Sequence, residues 1–154
     1  MIPKYDRRSE LKQKLLENLE QNILKFWVNK TIDIENGGFI GLVNESNQAE
    51  KSASKGAVLN TRILWTFSAA CRYFNSKEYK TLADRAYNYI SEFFLDKVHG
   101  GIYWELDYTG KPINRRKQVY AQAFAIYSFT EYFKITNQED VLDKAVILYR
   151  LIEE

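Results

Sequence analysis

Histidine and cysteine are almost absent from this sequence, and their scarcity excludes several kinds of site. The 154 residues include one histidine, His99, and one cysteine, Cys71. A single cysteine excludes a disulfide framework and a zinc site built from cysteines. His99 could act as a general base, but its place at the entry to a loop favours an incidental surface role. A Ser-His-Asp or Cys-His arrangement is therefore not expected.

The chain is also poor in proline, glycine and excess charge. Only 2 prolines and 7 glycines are present, which excludes a collagen-like or disordered chain. Lys plus Arg number 22 and Asp plus Glu 20, a net charge of +2, so no dense basic face for nucleic acid is expected. No apolar run is long enough to span a membrane, and the N-terminal MIPKYDRRSELKQK lacks the apolar segment of a signal peptide. These features predict a cytoplasmic protein without a nucleic-acid or membrane partner.

Aromatic residues are abundant, at 15% of the chain, and many lie in apolar patterns with helical spacing. This spacing predicts five helices: Ser9–Lys30, Ala57–Tyr73, Lys77–Phe94, Lys117–Lys134 and Gln138–Glu154. The first, third and fifth carry one apolar stripe, whereas the second and fourth are apolar almost all round. A helix that is apolar all round is buried on both sides. The predicted order is therefore outer, inner, outer, inner, outer.

The two long connections between these helices indicate an internal repeat. Each contains a glycine pair followed by a strand-like stretch, GGFIGLV in the first and GGIYWELDYTGKP in the second. In the alignment of the two units, Lys55 matches Lys117 and Asn60 matches Gln122. Such units stack into a curved double layer of helices. The sequence thus predicts an all-α fold, an incomplete (α/α)6 toroid of about five helices with two hairpin-bearing loops.

The repeat also bears on how much of a domain is present. Repeat architectures normally end in atypical capping units, and the last predicted helix has no such cap. We expect residues 1–154 to be a single incomplete toroid domain, the N-terminal part of a longer one. An open edge of this kind would be covered by the missing part or by self-association.

Arg62 is the first candidate site residue, because it lies in an otherwise apolar inner helix. An unpaired guanidinium is costly to bury, so it needs a partner or a wet cavity. Two interpretations stay open: an ion pair with Glu105 or Asp107, or a donor aimed at a substrate oxygen. The long loops gather at the end where the inner helices begin, and helix N-termini favour electron-rich groups. We therefore expect a site at this end.

The fourth predicted helix carries an aromatic face. Tyr120, Phe124 and Tyr127 share it at helical spacing, and Tyr120 is the strongest candidate to line a cavity, followed by Phe124. Packing roles are expected for the three tryptophans and for the lone cysteine: Trp27, Trp65, Trp104 and Cys71. A carboxylate pair such as Glu105 and Asp107 would suit glycoside hydrolysis, although a charged hairpin face is the commoner explanation.

Two stretches carry a family resemblance, KGAVLNTRILWTFSAACRYF and GGIYWELDYTGKPINRRKQVYAQAFAIYSFTEYF. With the opening helix and NGGFIG, they resemble the cellobiose 2-epimerase branch of the N-acylglucosamine 2-epimerase family, over essentially the whole chain. The resemblance implies an (α/α)6 barrel, of which this chain would be the N-terminal portion. It also implies reversible epimerisation at C2 of a reducing-end sugar such as cellobiose, through a cis-enediolate, without a metal or nucleotide cofactor.

The resemblance implies a set of substrate-binding residues as well. Arg62 matches the arginine of the LNTR motif and Tyr120 the tyrosine of the QVYAQ motif, and both would contact the mono- or disaccharide. Asn60 and Phe124 complete the predicted substrate-binding set. The family's catalytic histidines lie in later helices, so this chain alone is expected to be inactive. The alternatives are an aldose–ketose sugar isomerase of the same fold, a glycosidase-type toroid, and a non-catalytic scaffold or sugar-binding module.

Overall fold

The structure, a computed structural model, describes residues 7–153 and consists mainly of helices. The first helical segment is continuous: α1 (Arg7–Asn18) runs through a π-helical segment (Leu19–Leu24) into α2 (Lys25–Lys30). The later helices are α3 (Ala57–Phe74), α4 (Lys77–Tyr89) with a π-helical turn at Ile90–Phe94, α5 (Val119–Thr136) and α6 (Glu139–Glu153). The five predicted helices are confirmed, although Glu154 lies outside the described residues.

The predicted inner and outer order is confirmed for the four later helices. α3 and α5 pack side by side, α4 packs on α3, and α6 packs on α5. The core lies between these layers and contains fully buried aromatic residues from both inner helices, Phe67 and Phe129. Within residues 7–153, no helix is both long and apolar enough to cross a membrane.

A small antiparallel sheet joins the two long loops. β1 (Lys55–Gly56) pairs with β2 (Glu105–Leu106), which pairs in turn with β3 (Pro112–Asn114). The predicted hairpin in the second loop is present as β2 and β3. The first loop differs from the expectation, since its own pairing within the described chain consists of the isolated bridges Ile32–Phe39 and Val43–Ala49. Its last residues instead pair across to the second loop.

The first helical segment is packed over only part of its length. Leu24 is buried, and Trp27 packs against the core. Leu11 and Leu15 are exposed, at 58% and 60% of their surface. Ile23, on the same predicted apolar stripe, is 47% exposed. Burial of the whole stripe is therefore wrong for these residues, and no other described helix packs closely on α1.

Each long loop is tied to the start of an inner helix by a lysine. In the first lysine clamp, Lys55 Nζ donates to Asp33 Oδ2 at 2.7 Å and to the Gly37 carbonyl at 2.8 Å. In the second lysine clamp, Lys117 Nζ donates to Asp96 Oδ2 at 2.9 Å and to the Gly100 carbonyl at 2.7 Å. The two clamps are the same arrangement in successive repeats. They fix where α3 and α5 begin.

Glycine is required beside the first clamp. Gly38 has a φ of +62°, a conformation that side chains rarely adopt. A Cβ on Gly38 would also lie 2.6 Å from Cγ of the Tyr89 ring. The same ring lies 4.7 Å from Lys55 Nζ. The glycine pair therefore lets the loop close tightly over the lysine and tyrosine.

The clamps keep both aspartates ionised. Burial alone would raise the pKa of Asp33, but the hydrogen bond from Lys55 and backbone N–H groups lower it below its ordinary value. The pKa of Asp96 is lowered far more strongly, first by the hydrogen bond from Lys117 and then by the His99 N–H group. Both carboxylates are thus charged in the folded protein wherever free aspartates are.

We expect Lys55→Met to reduce the free energy of unfolding by about 3–5 kcal/mol, because it leaves the Asp33 carboxylate buried without its cation. Side chains of this pair are only 1% and 3% exposed. Urea denaturation followed by circular dichroism measures the change. The control is Lys51→Met, which breaks an exposed ion pair with Glu35 and should have little effect. Equal losses in the two variants would contradict the role of the clamp.

The lowered aspartate pKa values also predict an acid dependence. Because the unfolded state binds protons at a higher pH than the folded state, the stability from these carboxylates is complete above the ordinary aspartate pKa of about 4 and is lost as the pH falls below it. Asp96→Asn should lower the melting temperature at neutral pH and flatten its decline below pH ~4. The exposed Asp143 gives a control, Asp143→Asn, which should keep the wild-type pH dependence. An unchanged acid dependence in Asp96→Asn would refute the assignment.

Candidate functional site

A pocket lies where the two inner helices face each other. Its volume is about 440 Å³, and it is lined from α3 and α5 by six residues, Arg62, Trp65, Thr66, Tyr120, Phe124 and Tyr127. We call it the Arg62 pocket. The lining residues of α3 are spaced by three and four positions, as are those of α5, so each set lies on one helical face.

Aromatic rings form most of the wall of the Arg62 pocket. Trp65 stacks on Tyr127, with ring centroids 5.0 Å apart and planes 12° from parallel. Tyr120 meets Phe124 edge to face at 4.9 Å, and Phe124 meets Tyr127 at 6.4 Å. Flat apolar walls with a few polar groups are typical of small-molecule sites. The wall can therefore hold a ring-shaped ligand against its faces.

The Arg62 guanidinium is the cationic group of this pocket. Arg62 is exposed, and no hydrogen bond or ion pair to its side chain is found within residues 7–153. The expected ion-pair partners are engaged elsewhere: Glu105 accepts from Ser54 Oγ at 2.5 Å, and Asp107 accepts from the backbone and hydroxyl of Thr109. The ion-pair interpretation of Arg62 is therefore wrong. Its donors remain available to a ligand.

Arg62 and Thr66 also border a second cavity. This cavity measures about 300 Å³ and lies between the first helical segment and α3, lined by Ile23, Trp27, Leu59, Arg62, Ile63, Thr66 and Phe67. The Arg62 side chain thus lies between the aromatic Arg62 pocket and the apolar second cavity. A ligand in either one could reach the guanidinium.

The structure places Asn60 outside the Arg62 pocket. The residue is 1% exposed, its side-chain NH2 donates to the Gly56 carbonyl at 2.9 Å, and its Oδ1 is buried without a partner. Its repeat equivalent Gln122 is buried too, and its amide pairs with both the N–H and the carbonyl of Ile102, at 2.7 and 2.9 Å. A contact between Asn60 and substrate stays a prediction.

Other residues singled out by the sequence lie away from the pocket. The His99 side chain is 81% exposed and 3.4 Å from Asp96 Oδ2, and His99 does not line the Arg62 pocket. Trp27 and Trp104 pack against the core, as predicted. Cys71 is half-buried, and burial raises the pKa of its thiol.

Trp65, Thr66 and Tyr127 also line the pocket, although the sequence predicted only that Tyr127 shares the aromatic face of α5. Trp65 packs on Tyr127 of α5, in keeping with its expected packing role, and it also lines the Arg62 pocket. The signal is present in the helical spacing, because Trp65 and Thr66 follow Arg62 by three and four residues. Tyr127 follows Phe124 by three residues. Extending each helical face from its first candidate residue would have found them.

Comparison with known proteins identifies the family of this chain. The sequence model of the family described as N-acylglucosamine 2-epimerase (GlcNAc 2-epimerase) matches residues 37–153. The chain belongs to this family. The matched region includes both lysine clamps' glycine pairs and every residue of the Arg62 pocket.

Several proteins that are similar to this chain are cellobiose 2-epimerases. A cellobiose 2-epimerase from Bacteroides fragilis is 43% identical over 143 residues, which are 93% of this chain and 36% of that protein. The solved structure of cellobiose 2-epimerase from Bacillus thermoamylovorans B4167 has a TM-score of 0.91 and 42% identity, covering 94% of this chain and 37% of that one. This chain therefore spans little more than a third of these relatives.

A further solved structure has the same fold over nearly the whole of this chain. The structure of a D-mannose isomerase aligns with a TM-score of 0.80 and 23% identity, over 99% of this chain and 37% of that chain. At this identity, the likeness shows a shared helical architecture. The all-α toroid predicted for this member of the N-acylglucosamine 2-epimerase family is thus confirmed as a partial (α/α)6 barrel.

Gln122 holds the site end of α5 to the second loop, and we expect its removal to destabilise the protein. Gln122→Met keeps most of the volume but leaves the Ile102 N–H and carbonyl unpaired, which should cost at least about 2 kcal/mol. Urea denaturation gives the loss, with Gln118→Met, at an exposed neighbour, as control. Similar stability of the two variants would show that the Ile102 pairing contributes nothing.

Proposed function

We propose that this chain forms part of the sugar site of a carbohydrate 2-epimerase, with Arg62 and Tyr120 facing the reducing end of the sugar. One observation carries the proposal: an arginine without a protein partner among the described residues shares a pocket with a tyrosine and three further aromatic rings. A guanidinium and a phenol can hydrogen-bond sugar oxygens, while aromatic faces pack against the apolar face of a sugar ring. Membership of the epimerase family supports the same conclusion.

The chemistry of 2-epimerisation explains why a fixed cation is useful. The sugar opens to its aldehyde, a base removes the proton from C2, and the electron pair of that C–H bond moves to give a cis-enediolate with negative charge on O1. A proton returned to the other face of C2 gives the epimer. Donors already in place for the developing charge lower the barrier. A guanidinium donates hydrogen bonds but does not act as a proton acceptor, so the role of Arg62 is to stabilise this oxygen rather than to move the proton.

The acid and base of the reaction come, in this proposal, from residues outside the described part of the chain. No carboxylate or imidazole lines the Arg62 pocket, and His99 lies elsewhere. The relatives named above extend well beyond the region matched here. We therefore propose that residues 7–153 bind sugar without turning it over.

Cellobiose is the proposed substrate, because the relatives with the higher identities are cellobiose 2-epimerases. Aldose–ketose isomerisation passes through the same enediolate and differs in the carbon that receives the proton. Product analysis therefore separates the two activities. The cytoplasmic location predicted from the sequence stays a prediction.

The first experiment measures binding by the chain itself. Trp65 and its stacked partner Tyr127 should report cellobiose through a change in tryptophan fluorescence and through shifts of their ring signals in NMR spectra. Arg62→Met should weaken this binding at least about tenfold, as expected for lost hydrogen bonds from a charged group. Arg150→Met, at an exposed arginine on α6, should leave it unchanged. Equal affinities in the two variants would exclude Arg62 from the site.

The second experiment measures turnover. The matching segment of the Bacteroides fragilis enzyme is replaced by this chain, and the folded chimaera is incubated with cellobiose. An epimer at C2 of the reducing end is the expected product, and Arg62→Met should reduce kcat by roughly 100-fold or more. A ketose product would instead identify an aldose–ketose isomerase. A folded chimaera that releases glucose would point to hydrolysis and overturn the proposal.

A further inference from the structure

We propose that Lys117 is a positioning residue of the Arg62 pocket: through the second lysine clamp it fixes the first turn of α5, and with it the place of Tyr120. The structural part of this inference stands on the clamp itself. Only its consequence for sugar binding rests on the proposed function. The two clamps differ in how much neighbouring structure supports them.

The first clamp is reinforced by neighbouring structure. The Lys55 side chain is 1% exposed. The backbone of Lys55 belongs to β1, which pairs with β2. The first residue of α3 is also bound to the second loop, because the Ala57 N–H donates to the Trp104 carbonyl at 2.9 Å. The start of α3, which carries Arg62, is thus fixed by several interactions besides the lysine.

The second clamp has less support. The Lys117 side chain is 29% exposed, and no strand includes it. Gln118, at the N-cap of α5, makes no side-chain capping hydrogen bond. The buried amide of Gln122 is the other anchor of this turn, through its pairing with Ile102. Among the described polar side-chain contacts, the start of α5 is therefore anchored by one lysine and one glutamine.

The surroundings of Lys117 leave its side chain little freedom. Its Nζ lies 4.3 Å from the centre of the Tyr103 ring. A Cβ on Gly101 would lie 3.3 Å from Lys117 Cδ and 3.1 Å from Gln122 Oε1. The lysine stem and the glutamine amide thus pack against the same glycine, so a shift of either is transmitted to the first turn of α5.

Tyr120 has no other anchor of comparable strength. The residue is 60% exposed, and its ring contact is with Phe124 on the same helix. Nothing from α3 fixes it from across the pocket among the contacts described. The separation of Tyr120 from Arg62 therefore depends on where α5 begins, and Lys117 lies three residues before Tyr120.

The test compares Lys117→Met with a matched lysine elsewhere. Lys144 is 28% exposed, and its Nζ donates to Asp140 Oδ2 at 2.9 Å. Lys144→Met on α6 therefore removes an ion pair of the same length from a lysine of similar exposure, although Asp140 is 65% exposed and Asp96 only 6%. The readout is hydrogen exchange at the amides of Ala121 and Gln122, which donate to the Gln118 carbonyl at 3.0 and 3.2 Å. Lys117→Met should speed their exchange about tenfold relative to the α6 amides, as expected for local opening, whereas Lys144→Met should not.

A second pair of variants keeps the test decisive if Lys117→Met does not fold. Asp96→Asn retains the Oδ1 acceptor for the backbone of Val98 and His99 but removes the charge that holds Lys117. It should give the same local increase in exchange, and Lys117→Arg should restore slow exchange. Overturning results are an increase spread evenly over the chain, or no difference between the Lys117 and Lys144 variants.

Sugar binding is a separate arm of the experiment. If cellobiose binds the unaltered chain, Lys117→Met should weaken binding by about threefold to tenfold through displacement of Tyr120, and Lys117→Arg should recover it. Equal binding by Lys117→Met and the unaltered chain would overturn the positioning role. If the unaltered chain binds no cellobiose, the proposed function fails, while the exchange measurement still decides whether Lys117 fixes α5.

Discussion

An ammonium group held between an aspartate and a glycine carbonyl is the interaction on which the rest of this structure depends. Removing a charge from water is costly unless opposite charge and hydrogen-bond acceptors replace the solvent. Each lysine clamp supplies both, together with a tyrosine ring near the ammonium. Because the lysine lies two residues before an inner helix and the aspartate lies near the start of a long loop, one contact sets the position of both. The pocket between α3 and α5 follows from having two such contacts.

Most of the helical architecture could be predicted from the sequence, because burial leaves a periodic trace along a helix. The all-round apolar character of α3 and α5 correctly indicated that they are inner helices. The same kind of pattern failed for Leu11 and Leu15. A stripe shows which face of a helix would be buried, but not whether a neighbour is present to bury it. The pairing of β1 with β2 could not be predicted from the sequence either, since strands of two residues show no periodic pattern.

The candidate site was predictable in part for similar reasons. Arg62 stands out as a charge in an apolar helix, and Tyr120 and Phe124 lie on one helical face. Trp65 is harder, because the same large ring serves equally well in a core or in a pocket wall, and only the position of α5 decides between them.

Asn60 shows a second limit of sequence reasoning. It aligns with Gln122, yet a side chain shorter by one methylene leaves its Oδ1 without a partner, whereas Gln122 holds both polar groups of Ile102. Repeat alignment therefore identified equivalent positions without revealing that their hydrogen bonds differ. The partners of Lys55 and Lys117 were hidden in the same way, because they depend on loops that turn through glycines of positive φ.

The strand pairing between the two long loops has a consequence for how the chain folds. In a simple stack of repeats, each unit contacts its neighbours and can form in sequence, one after another. Here β1 belongs to the first unit, while β2 and the Trp104 carbonyl that receives Ala57 N–H belong to the second. The first unit cannot complete the start of its own inner helix until the second loop has arrived. Long-range contacts of this kind slow folding, and they make the two repeats a single cooperative unit rather than two independent ones.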